Sequence, residues 1–139
     1  APDASELDAW PTFDHSKTTF GIAPVNLPEQ ANVPEQARAW LHVNCAHCHN
    51  PIGTARTSGL DLRLTQMEPK KFGVNKIPVA AGHGSGGRSF DIVPGKPDES
   101  ILMYRIESED PSVAMPNVGR QLVPVEAAAL IRKWIEQLD

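Results

Sequence analysis

The chain has 139 residues with two cysteines and thirteen prolines, and its 17 acidic against 13 basic side chains leave a net charge of −4 with histidine neutral. That length suits one domain, able to bury roughly two-thirds of its unfolded surface without disulfides. The acidic balance gives no electrostatic support to a nucleic-acid or anionic-membrane partner, and no apolar run is long enough to span a bilayer.

Residues 1–33 carry Pro2, Pro11, Pro24 and Pro28 among apolar residues scattered at Trp10, Phe13, Phe20 and Ile22, and read as an extended arm packed on a domain at 34–139. A first helix is expected from Pro34, whose fixed φ suits a first turn, with Glu35 placed favourably for the helix dipole. Ala37, Trp40, Leu41 and Asn44 follow at helical spacing and lead into Cys45. Pro51 and Gly53 stop this helix, and "GTARTSGLDLR" is a loop that tightens into an apolar alternation at Leu60, Leu62 and Leu64.

Residues 65–95 mix two short β-like runs, Ile77 to Ala80 and Phe90 to Val93, around a glycine-rich loop, and predict a small β-hairpin or an Ω-like excursion. Gly82, Gly84 and Gly87 fit G-x-G-x-x-G. No helix is expected after them, however, and the chain is too short for a doubly wound domain, so a loop is the better reading. A further helix opens at Pro97, carries Asp98 and Glu99 in its first turn, buries Ile101, Leu102 and Ile106, and ends before Pro111. The last helix runs from Pro124 to about Leu138, with an apolar stripe of Leu130, Ile131, Trp134, Ile135 and Leu138. Its start is poorly capped, because Val123 has no side-chain oxygen. The expected fold class is mainly α.

Both cysteines fall within "NCAHCHNP", residues 44 to 51. A disulfide, a zinc half-site and covalent haem attachment all use Cys-x-x-Cys, but only the last has a reason to place histidine next. On a helix Cys45, Cys48 and His49 share one face. Two thiols can then add across the haem vinyl groups while the imidazole meets the iron. A structural zinc site needs four ligands, and no second cysteine pair exists; a redox dithiol normally sits in a βαβ context, which is missing. One covalent haem c is therefore the expected cofactor.

The sixth iron position has three methionine candidates. Met103 adjoins an apolar stripe and reads as core, while Met67 lies on a polar stretch soon after the motif. Met115 lies in a loop between helices with Pro116 stiffening the backbone beside it, and is the expected distal ligand. His42 and His47 lie on the proximal side, so among the other histidines only His15 and His83 are free to reach the far face. Arg56, Arg63 and Arg88 are candidate propionate partners, Arg63 first; Trp40 and Trp134 read as core.

Taken in order, "ARAWLHVNCAHCHNP", "SGLDLR", "VPGKPDESILMYRI", "AMPNVG" and "AALIRKWIEQL" resemble the monohaem cytochrome c domains found free or attached to larger secreted bacterial proteins. The match covers about residues 34–138. The resemblance implies a cytochrome c fold, thioethers from Cys45 and Cys48, iron held by His49 and Met115, and electron transfer without chemistry of its own. It also implies a redox partner protein or parent enzyme domain, and a periplasmic or extracellular location reached through an export signal absent from "APDASELDAW". His49 is expected to donate its other ring N–H to a backbone carbonyl of the following loop. The arm and the 65–95 excursion are additions to a minimal cytochrome c. The alternative readings are a peroxidase-like haem enzyme or gas sensor with a labile distal position, and a docking module whose haem is structural; a distal Met115 argues against open coordination.

Overall fold

The computed structural model describes residues 31–139. The expected arm at 1–33, and His15 with it, lies outside the described residues apart from positions 31–33. The described chain is mainly α: helices α1 (Val33–Cys45), α2 (Pro69–Phe72), α3 (Ile101–Glu107) and α4 (Val125–Glu136) are joined by long loops and single turns of 3-10 helix, and no strand occurs among the described residues.

α1 begins in a capping box. The Asn32 side-chain oxygen accepts from the Glu35 backbone N–H at 3.0 Å, and the Glu35 carboxylate accepts from the Asn32 N–H at 3.0 Å. Two amides that have no intrahelical partner are thereby satisfied, and Pro34 sets the first turn. The inward face of α1, with Ala37, Trp40 and Leu41, packs on Ala127, Ala128, Ile131, Trp134 and Ile135 of α4. Leu41, Ile131 and Ile135 are fully buried, each stabilising the fold by about 1.5–3 kcal/mol. α3 packs on α4 and adds Ile101, Met103 and Ile106 to the buried set. α4 starts at Pro124 with no side-chain cap, so the Pro124 carbonyl, accepting from the Ala128 N–H at 2.8 Å, is what closes its first turn.

No hairpin forms in the excursion at 65–95, which carries α2 and one 3-10 turn, Gly82–Ser85, within irregular chain. The segment at 73–76 pairs with 91–92 through isolated contacts: Asn75 N–H to Ile92 O at 2.8 Å, Asp91 N–H to Lys76 O at 2.8 Å and a parallel bridge between Val74 and Ile92. Phe90 forms its bridge with Ser100 instead of with the Ile77–Ala80 run. Pro78 lacks an N–H for a ladder, and Ile77 and Val79 are left largely exposed. Phe72, at the end of α2, meets Trp134 edge to face with ring centroids 6.0 Å apart, which pins the excursion to the helical core.

Candidate cofactor-attachment site

The end of α1 does not fray at the cysteines. The Cys45 carbonyl accepts from the Cys48 N–H at 3.1 Å and from the His49 N–H at 2.9 Å, so the turn continues through the motif. Asn50 closes it: its side-chain NH2 donates to Ala46 O at 2.7 Å, and its oxygen accepts from the Ile52 N–H at 2.9 Å. Gly53 then folds the chain back beneath Cys48. A Cβ at Gly53 would stand 2.1 Å from the Cys48 carbonyl oxygen, so the position excludes every other residue on steric grounds. The returning strand of loop is tied to the motif by the Leu62 N–H, which donates to His49 O at 3.0 Å.

The His49 side chain is oriented by Ser58. Its Nδ1 lies 3.0 Å from Ser58 Oγ, which sits 2.7 Å from Ala55 O and 3.2 Å from the Leu60 backbone nitrogen. A hydroxyl has one proton, and the Ala55 carbonyl can only accept it. Ser58 Oγ must therefore accept from His49 Nδ1–H, which leaves Nε2 as the nitrogen with a free lone pair. The expected backbone-carbonyl partner is thus replaced by a hydroxyl that is itself anchored to a carbonyl. Burial, with smaller contributions from the charges of Arg105 and His47, lowers the His49 pKa and keeps the imidazole neutral.

Cys45 and Cys48 are free thiols, and burial beside Cys48 pushes the Cys45 thiol up to about 12. A dithiol built for exchange needs the opposite shift, toward thiolate. The thiols and imidazole also do not converge: no group of three or more His, Cys, Asp or Glu side chains able to hold a metal ion occurs among the described residues.

What these side chains share is a cavity of about 380 Å³, within the range of small-molecule and cofactor sites. Cys45, Cys48 and His49 line it from the end of α1, and Met115 lines it from the loop after α3. Leu60, Leu62, Phe72, Ile92, Ile101 and Ile106 contribute apolar wall. Met67 is 79% exposed and Met103 is buried in the core, and neither reaches the cavity. His83 is also outside the lining; its ring lies 3.2 Å from Ser112 Oγ.

Arg63 is not at the cavity. Its guanidinium makes a two-pronged contact with Asp61, at 2.8 and 2.7 Å, and that hydrogen bonding holds the buried Asp61 carboxyl down at about 2. Arg56 and Arg88 do not line the cavity either. Arg105, on α3, does. It donates Nε to Val113 O at 3.0 Å, and its two terminal nitrogens have no hydrogen-bond or ion-pair partner among the described residues. Burial lowers its pKa, so the guanidinium is a desolvated cation with donors to spare. The cavity wall also holds Asp91, paired with Lys76 at 3.1 Å and raised in pKa by burial against that pairing. Nothing in the sequence marked Arg105, since it takes the α3 fold to bring it beside residues of the motif. Ser58 was equally hidden within a polar loop.

This donor set fits a haem. A neutral imidazole with Nε2 free and a thioether are the iron ligands of one haem class, the non-converging thiols suit carbon attachment better than metal ligation, and Arg105 suits a carboxylate. The Cys45-x-x-Cys48-His49 spacing in a mainly helical domain is consistent with a haem-attachment motif. Among the described residues no helix is long and apolar enough to cross a membrane. Comparison of the chain with models of known protein families, with curated proteins and with solved structures finds no match.

Proposed function

We propose that this chain is an electron-transfer domain with one covalently attached haem c, bound through Cys45 and Cys48 and ligated by His49 and Met115. One observation carries the reading: the two motif thiols, an imidazole with Nε2 free, and a methionine from a distant segment all open on the same apolar cavity. When bound, the haem supplies an iron that alternates between ferrous and ferric states. The protein's task is to hold that iron alike in both. Ser58 fixes the His49 ring, the apolar wall keeps water away, and the Met115 sulfur and the burial both favour the lower charge, hence a raised potential. Arg105 is the cation the cavity offers to a propionate. The partner is a redox protein or a parent enzyme domain, met in a brief encounter of small buried area. The location that goes with covalent haem attachment is the periplasm or the cell exterior.

The experiment is ligand access. Reduced wild-type protein should bind carbon monoxide slowly or not at all at neutral pH, and Met115→Ala should bind it readily. The weak long-wavelength sulfur-to-iron absorption of the oxidised protein should vanish in Met115→Ala and persist in Met67→Leu and Met103→Leu. Fast carbon monoxide binding by the wild type, with peroxide turnover, would favour the enzyme or sensor reading instead.

A further inference from the structure

The segment that presents Met115, between α3 and α4, has no helix or strand, and little apolar burial holds it. Val113 is buried, but Val118 is 81% and Leu122 is 82% exposed. Such a segment would open easily if packing were its only restraint. Arg105 Nε on Val113 O and His83 beside Ser112 Oγ hold the chain before Met115; Arg120 holds the Met115 peptide itself and the chain after it. Arg120 donates Nη1 to Met115 O at 2.8 Å and to Arg105 O at 3.2 Å, Nη2 to Ser108 O at 2.6 Å, and Nε to Leu122 O at 3.1 Å. The Arg105 carbonyl also accepts from the Met115 N–H at 2.9 Å. A single guanidinium therefore joins the last turn of α3, the exit from that helix, the Met115 peptide and the returning chain. Its planar fork of five donors reaches four carbonyls at once, which a lysine ammonium on one nitrogen cannot reproduce.

We propose that Arg120 is the positioning residue of the sixth iron position: it clasps the loop shut and so holds Met115 at the cavity. The inference rests on Met115 being the distal ligand. Losing Arg120 would release the loop and open a bound haem to exogenous ligands without altering His49 or Met115.

The test uses the haem-loaded protein with Arg120→Gln and Arg120→Lys, and reads three quantities: the sulfur-to-iron absorption, the carbon monoxide association rate, and hydrogen exchange at individual amides. Arg120→Gln should weaken or abolish the absorption, speed carbon monoxide binding about tenfold or more, and speed exchange of the Met115 amide comparably. Arg120→Lys should fall between Gln and wild type. Exchange at Ile131 and Ile135 in α4 should stay as in the wild type. Arg132→Gln, which removes an arginine paired with Asp98 at 2.7 Å and Glu107 at 2.8 Å outside this loop, should change none of the three. Wild-type exchange at Met115 in Arg120→Gln overturns the clasp. So does a speeding of exchange that extends equally to α4, since Arg120 would then be a general structural residue. Failure of the ligand reading is separate: if Met115→Ala keeps the absorption, another residue holds the iron, and the exchange result still decides whether Arg120 holds the loop.

Discussion

Replacing Ser58 by alanine removes one oxygen beside His49 and leaves the rest of the site in place. That oxygen serves three partners, His49 Nδ1 at 3.0 Å, Ala55 O at 2.7 Å and the Leu60 N–H at 3.2 Å. Two part-buried donors lose their partner together, while the Ala55 carbonyl keeps the Ser58 backbone N–H at 3.0 Å; an unmet buried group costs about 1–3 kcal/mol, so a stability loss in that range is expected. On the proposed haem iron the effect has a definite sign. Donation from Nδ1–H makes the imidazole a stronger base and so favours ferric iron; without it, ferrous iron gains. If the change is worth about 0.5–1.5 kcal/mol, the usual net value of one hydrogen bond, the one-electron potential rises by about 20–60 mV. Spectroelectrochemical titration of wild type, Ser58→Ala and Ser58→Thr should show that rise in alanine and a near-wild-type value in threonine, which keeps the hydroxyl. An unchanged or lowered potential in Ser58→Ala, with the sulfur-to-iron absorption intact, would refute the role assigned to the Ser58 oxygen.

Gly53→Ala places a methyl group 2.1 Å from the Cys48 carbonyl oxygen, a backbone atom with little room to yield. The cost should exceed the about 1–3 kcal/mol of ordinary overpacking, and the yield of haem-loaded protein from cells with attachment machinery should fall sharply; a wild-type yield would contradict the packing described. For Asp61, hydrogen bonds from Arg63 depress the folded-state pKa from 3.8 to about 2. A depressed carboxyl stabilises the fold above its unfolded pKa and loses that contribution as pH falls through the folded one. Wild-type stability should therefore drop between about pH 4 and pH 2 more steeply than that of Asp61→Asn in denaturant titrations, and parallel curves would show that the pair contributes nothing.

α1 and α4 were legible because their signals are local, whereas α2 is too short to show a period, and the helix expected from Pro97 begins at Ile101, after a 3-10 turn at Pro97–Glu99 and an extended Ser100. Pro34 and the apolar spacing of Ala37, Trp40 and Leu41 place α1, and the stripe from Ile131 to Ile135 places α4. The Asn32–Glu35 capping box was also present in the sequence as N-x-x-E, a start signal that the emphasis on Pro34 passed over. The hairpin expectation failed because alternation in Ile77–Ala80 reports only that a run suits an extended backbone. The partners of 90–92 are Ser100 and the 73–76 segment just before that run, a choice that alternation within 77–80 does not report. Arginine placement shows the same divide. Arg63 is two residues from a buried aspartate and is captured by it, whereas Arg105 and Arg120 act through Val113, Ser108 and Met115 carbonyls that no spacing rule reveals. The motif itself was legible because covalent attachment demands a fixed spacing, while what orients His49 was hidden in one serine among the polar residues of "GTARTSG".

The central claim is that Cys45 and Cys48 carry a haem, and intact mass tests it most directly. The protein, expressed outside the cytoplasm of a host with haem-attachment machinery, should keep the mass of one haem above the chain under denaturing and reducing conditions. Cys45→Ala together with Cys48→Ala should lose it. A wild-type mass equal to that of the bare chain, from cells that load a control cytochrome, would contradict the account.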